Sequence, residues 1–189
     1  MVLPSRDISS LVRYRINYPR MDINISDIWG YIIMLKFMNK DITTVTEGVV
    51  IHGCNRRLKM GSGVALAVRN KWPKAYEAYM SYGSPHNIPP LGEHQWVWIE
   101  ERKLAVVNAF TQDIYGYDRK RYASPEAVRK VLIDTANKTA LYGMKCLYMP
   151  PLGCGRGGLI WDKDVYPSVI HVANKVPNID IIVCDNTLC

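Results

Sequence analysis

The chain has 189 residues, 48% of them hydrophobic and 22% charged, with a net charge of +7. That length predicts one domain with a substantial core, and that balance excludes wholesale disorder. The basic residues form no single block. Arg56, Arg57, Lys59, Arg69, Lys71 and Lys74 bracket a glycine turn, and Arg119, Lys120 and Arg121 lie further on. This pattern suits a small anionic ligand, a polyanion or a generally basic solvated surface.

Five cysteines (Cys54, Cys146, Cys154, Cys184, Cys189) are odd in number and contain no Cys-x-x-Cys pair. A disulfide framework and a zinc site are therefore not expected, and a reducing compartment is favoured. His86, His94 and His171 show no metal-ligand grouping, so neither a metal nor a cofactor is expected. Ile28 to Phe37 is too short to span a bilayer and carries Lys36. The N-terminus also lacks a basic-then-apolar leader pattern, which makes the cytoplasm the expected location.

Residues 1–33 mix Arg6, Arg13, Arg15 and Arg20 with scattered apolar residues in no sustained period, and read as an N-terminal extension. From residue 34 to 189 strands and helices alternate. Met34–Met38 is a predicted first strand, and Gly48–His52, apolar and β-branched, a buried second one. A helix starts at Gly63–Val64 and stops before Pro73; a shorter one covers Pro73–Met80. Residues 81–93 read as loop. Trp96–Glu100 and Leu104–Phe110 read as consecutive strands around a turn at Arg102. Ser124 caps a helix with Pro125 in its first turn. Val128, Val131, Leu132, Ala136 and Ala140 form its stripe, and Gly143 closes it. Lys145–Met149 is a strand, Asp162–Lys175 helical, and Asp180–Cys184 a last buried strand. Trp72, Trp96, Trp98 and Trp161 read as core or edge aromatics.

Strands apolar enough to be buried on both faces, alternating with helices, predict an α/β fold with a mixed, mostly parallel sheet. In such sheets ligands sit beyond the carboxyl ends of the strands. Two glycine-rich loops leave such ends: Gly61-Ser62-Gly63, and Gly153, Gly155, Gly157 and Gly158 within residues 149–161. Glycine lets backbone N–H groups converge on an anion without a Cβ in the way, although the same residues also make tight turns. Asn55 stands at the end of the buried strand that leads into the first of these loops. Asp41 follows the first strand, either as an acceptor for an exocyclic amine or as a turn cap.

Taken together, several segments resemble a macro domain over about residues 34–185. They are Asp41-Ile-Thr, residues 49–55 (VVIHGCN), residues 58–65 (LKMGSGVA), Val107-Asn-Ala109 and residues 151–159 (PLGCGRGGL). The resemblance implies a three-layer α/β/α fold that binds ADP-ribose. It implies Asp41 on the adenine amine with Ile42 beside it, and Asn55 on the distal ribose. Gly61, Ser62, Gly63, Val64 and Ala65 would meet the pyrophosphate and distal ribose. Leu152, Gly153, Cys154, Gly155, Arg156 and Gly157 would meet the diphosphate. His52-Gly-Cys-Asn55 is similar to the branch that includes ADP-ribose 1″-phosphate phosphatases. The second loop also resembles antitoxin-type enzymes that remove ADP-ribose from DNA. Those rely on a lysine after the strand equivalent to Val106–Phe110, where this chain reads Thr111-Gln112-Asp113, with the next lysine at Lys120.

For phosphate removal the candidate catalytic residues are His52, Asn55, Gln112 and Asp113, as proton-transfer groups or donors to developing charge. His52 is either such a group or a core histidine, and Asp113 either a base or a surface carboxylate. Arg156 either closes over a phosphate or is solvated. Tyr115 and Tyr117 either cover the distal ribose or lie on a surface loop. Cys154 lacks Cys-x5-Arg spacing and reads as a small loop residue. A monomer acting on ADP-ribose 1″-phosphate is the first expectation. A reader of free or macromolecule-linked ADP-ribose, or a hydrolase removing it from protein or nucleic acid, is the alternative.

Overall fold

A computed structural model of the protein describes residues 35–185 except 85, 86, 117, 119 and 177. The extension at 1–33, Met34, His86, Tyr117, Arg119 and Cys189 lie outside the described residues. Six strands form one sheet: β1 Leu35–Met38, β2 Gly48–Asn55, β3 His94–Glu100, β4 Leu104–Gln112, β5 Cys146–Met149 and β6 Asp180–Cys184. Their order is β1-β6-β5-β2-β4-β3. All pairs are parallel except β3 with β4, which makes an antiparallel edge.

Burial follows this order. β2 and β4 lie inside the sheet and are buried along nearly their whole length, whereas the edge strand β1 alternates between half-buried and exposed. The turn between β3 and β4 places Arg102 at φ 57°, the left-handed conformation such a tight reversal needs.

Helices cover both faces. Helix α3 (Pro125–Leu141) and α4 (Tyr166–Lys175) pack Val128, Val131, Leu132, Val169 and Val172 against Val49, Ile51, Leu147 and Ile181. On the other face α1 (Gly63–Lys71) and α2 (Pro73–Tyr82) bring Val68 and Ala75 onto Val50, Val106 and Ile182. This is the expected three-layer α/β/α arrangement. As expected, the Ser124 hydroxyl caps α3 by accepting from the Ala127 N–H at 3.1 Å. Trp96, Trp98 and Tyr142 form one aromatic cluster at the β3 edge.

Several boundaries differ from expectation; β3 starts two residues earlier, at His94, and α2 ends two later, at Tyr82. β2 and β4 run three and two residues further, to Asn55 and Gln112, because they pair with each other to their ends. The segment expected as one helix from Asp162 opens with a π-helical turn, Trp161–Val165, before α4. Pro167, in the first turn of α4, lacks the N–H that a continuous α-helix from Asp162 would use. Residues Ile42–Thr44 form a 3₁₀ turn that sequence periodicity does not reveal. No helix among the described residues is long and apolar enough to cross a membrane.

The extension of β2 decides the environment of His52, which is fully buried within the sheet beside Asn108. The Asn108 amide donates to the Ala75 carbonyl (2.9 Å) and to Gln95 Oε1 (3.0 Å). Its oxygen is left to accept from His52 Nε2–H at 2.8 Å, which fixes the tautomer. Burial holds the imidazole neutral and pushes its pKa down to about 4 from an ordinary 6.5. Between those values the unfolded chain holds a proton that the folded chain rejects, so stability falls as pH drops from 6.5 towards 4, by about 3 kcal/mol in full. Replacing His52 by Gln should flatten that part of the stability–pH curve relative to the wild type, as read from urea midpoints at pH 7 and pH 4.5.

Candidate functional site

A cleft of about 710 Å³ lies along the carboxyl ends of the parallel strands. β1 delivers Lys40, Asp41 and Ile42; β6 delivers Cys184 and Asp185; β2 delivers Asn55; β4 delivers Gln112; the loop after β5 delivers residues 150–157. From β6 to β4 is three inter-strand steps, roughly 14 Å. The site is therefore elongated, with acidic side chains at one end, amides at the other and glycine loops between.

At the β1 end, Asp41 caps the 3₁₀ turn. Its Oδ1 accepts from the Thr43 N–H (2.9 Å) and hydroxyl (2.8 Å), which aims the carboxylate along the cleft wall beside Ile42. The turn-cap role and the lining role coexist.

In the middle, Ser62 precedes α1 but its hydroxyl caps no N–H, and α1 carries no acidic residue in its first turn. The positive end of this helix, at Gly61, Gly63, Val64 and Ala65, therefore opens on the cleft with no acidic residue in its own first turn. Opposite, the second loop folds on itself: the Leu159 N–H donates to Gly153 O (3.0 Å) and the Gly158 N–H to Gly155 O (3.2 Å). The Tyr122 and Ala123 N–H groups both donate to Gly157 O at 2.9 Å and anchor the loop from beneath. A Cβ on Gly157 would stand 2.5 Å from Gly153 O, so only glycine fits there. Gly61 and Gly155 differ. Neither has a left-handed φ, and a Cβ on either would meet nothing within 4 Å, only the open cleft.

Cys154 and Cys184 also line the cleft, and burial pushes each thiol up to about 11. Both are protonated near neutral pH and serve as apolar lining rather than nucleophiles. Leu152 is buried under the loop, and Arg156 is exposed on the cleft wall.

At the β2–β4 end, Asn55 is buried and its amide is largely used within its own loop. Oδ1 accepts from the Arg57 N–H (3.0 Å) and the Lys59 N–H (3.3 Å), and Nδ2 donates to Lys59 O (2.6 Å). The Tyr79 hydroxyl donates to Asn55 O at 2.6 Å. Asn55 thus shapes the cleft, with one amide hydrogen to spare. Gln112 and Tyr115 line this end.

Of the four candidate catalytic side chains the structure brings Asn55 and Gln112 into the cleft. His52 is sealed inside the sheet, neutral and hydrogen-bonded to Asn108, and its expected proton-transfer role is not carried forward. Asp113 lies at the rim rather than on the lining, held by Arg56 at 2.9 Å. Lys40 and Lys59 line the cleft and were not singled out from sequence as site residues. Their only sequence signal was position, one beside Asp41 and the other before the first glycine turn. Among the described residues no group of three or more His, Cys, Asp or Glu is placed to hold a metal ion.

Comparison with known proteins agrees with this geometry. Residues 51–165 match the family model of the Macro domain. The chain is 23% identical over 158 residues to proteins named DNA ADP-ribosyl glycohydrolase from Mycobacterium bovis and Mycobacterium tuberculosis. The match covers 79% of this chain and 42% of theirs, so the chain spans less than half the length of these relatives. Among solved structures, a Bacteroides thetaiotaomicron protein of unknown function superimposes with a TM-score of 0.68 at 29% identity, covering 80% of this chain and 97% of that one. The macrodomain of Mycobacterium tuberculosis DarG gives 0.68 at 20% identity, covering 79% and 96%. A Thermosipho africanus DarTG structure in complex with ADP-ribose gives 0.65 at 19% identity, covering 79% and 41%. With more than half of its residues matched by the family model, this chain belongs to the Macro domain family.

Proposed function

We propose that the cleft binds ADP-ribose and that the protein hydrolyses ADP-ribose 1″-phosphate, consuming one water and releasing phosphate. The observation that carries the ligand is the pair Gly61 and Gly155, which line the cleft with no internal reason to lack a side chain. A diphosphate lying close to the backbone between them supplies that reason, since it needs both the N–H donors and the space. The adenine then falls at Asp41 and Ile42 and the distal ribose at Asn55 and Gln112. Support for a phosphoester rather than a glycosidic substrate comes from Thr111-Gln112-Asp113, a stretch without the lysine that the DNA-directed branch is expected to carry after this strand.

A second reading is removal of ADP-ribose from DNA. It is favoured by the names of the mycobacterial relatives and by the net charge of +7.

Calorimetric titration with ADP-ribose should give saturable binding. Gly155→Val should weaken it at least tenfold with little change in the thermal midpoint, since a Cβ there meets no protein atom within 4 Å; equal affinity in the two proteins would remove the ligand assignment.

In an assay for phosphate, the wild type should release it from ADP-ribose 1″-phosphate. If ADP-ribose binds but no phosphate appears, the phosphatase reading fails. Release of ADP-ribose from a modified oligonucleotide would then support the second reading, and silence in both assays a non-catalytic reader.

A further inference from the structure

We infer that the turn Arg56–Lys59 is a phosphate subsite at the β4 end of the cleft, where the carboxylate of Asp113 stands in for the phosphate. This rests on the ADP-ribose reading above and deepens it by giving the group at C1″ a binding partner. Three cations, Arg56, Arg57 and Lys59, fall within four residues of chain. The Arg56 N–H donates to Gln112 O at 2.9 Å, which splices the turn onto the end of β4. The Asn55 amide then clamps the turn through Arg57 and Lys59. Leu58 is forced to φ 56° within it. A left-handed leucine is strained and persists only where the surroundings over-determine it. The turn is thus held in one shape at some expense.

That shape concentrates positive charge. A single oxygen, Asp113 Oδ1, takes Arg56 Nε at 2.9 Å, Arg56 Nη2 at 2.9 Å and Arg57 Nη2 at 3.9 Å. Lys59 lines the cleft two residues after Arg57. One carboxylate faces two guanidinium groups, with a third cation in the same turn. The arginine and Asp113 side chains are 26–48% exposed, and pairs so open to water are weak. The carboxylate is therefore replaceable. A phosphate monoester carries roughly −1.5 to −2 at neutral pH and three acceptor oxygens, and guanidinium groups bind it in a bidentate manner. A ligand with its distal ribose at Asn55 and Gln112 projects such a group towards this turn. Displacement would also free Asp113, adjacent in sequence to Gln112, to hold a water by hydrogen bonding. The lining at this end otherwise offers Asn55, Lys59, Gln112 and Tyr115, and no carboxylate.

The test uses unreactive probes in two stages. ADP-ribose is titrated first into the wild type, Arg57→Gln and Asp113→Asn, and its affinity should agree within twofold among them. Inorganic phosphate is then titrated into each ADP-ribose-saturated protein. Arg57→Gln should weaken phosphate at least tenfold, whereas Asp113→Asn, by removing the internal competitor, should tighten it several-fold. A purely structural ion pair predicts no gain from Asp113→Asn. Unchanged phosphate affinity in Arg57→Gln, or weaker phosphate binding in Asp113→Asn, overturns the proposal. So does an Arg57→Gln protein that loses affinity for a single-stranded oligonucleotide but not for phosphate, which would mark the turn as a nucleic-acid contact. Absence of ADP-ribose binding at the first stage brings down the reading of the cleft itself, and is seen separately.

Discussion

β2 is hydrogen-bonded in parallel on both sides, to β4 along its whole length and to β5 near its start. Because the pairing is parallel, the carboxyl ends of five strands reach one rim, and each connection back to the other rim runs through a helix or a long loop. The register Gly48↔Leu104 through Cys54↔Phe110, with one irregularity before Asn55↔Gln112, sets two amides side by side at the end of the cleft. A slip of one residue would turn Val49 and Ile51 away from α3 and α4, so the core that fixes the register also fixes the site. The aromatic and aliphatic packing of both helical layers serves that single alignment.

Much of this was legible in the chain. The β-branched run before Asn55, the Ser124-Pro125 start of α3 and the glycine loops each carry a local physical signature, and the structure places them as those signatures require. The rest depends on partners distant in sequence. Whether His52 met the cleft turned on how far β2 continued, and pairing with β4, not the local run, extended it. The use of the Asn55 amide in its own loop follows from how that loop folds back, which residue types alone do not specify. The Arg56–Asp113 pair joins positions 57 apart. The π-helical turn was signalled only by Pro167, whose effect reads as a shifted helix start.

Charge along the cleft is uneven. Asp41 and Asp185 outnumber Lys40 at the β1–β6 end, while Lys59 is at the far end, with Arg56 and Arg57 outnumbering Asp113 just beyond on the rim. The two lining thiols stay protonated, so they interrupt neither side of this gradient. A ligand with an amine-bearing base at one end and an anionic group at the other is oriented by the gradient before any close contact forms.

The caps at the two ends of the cleft carry a further consequence. Asp41 is tied to Thr43, and Asn55 to Arg57 and Lys59, by bonds that exist without a ligand. The walls are therefore already in shape, and little side-chain freedom is left to lose on binding. In such a rigid receptor, related ligands meet the protein at similar rates and differ chiefly in how long they stay. Selectivity among related ligands then becomes a question of residence time, set at the end of the cleft where their chemistry differs.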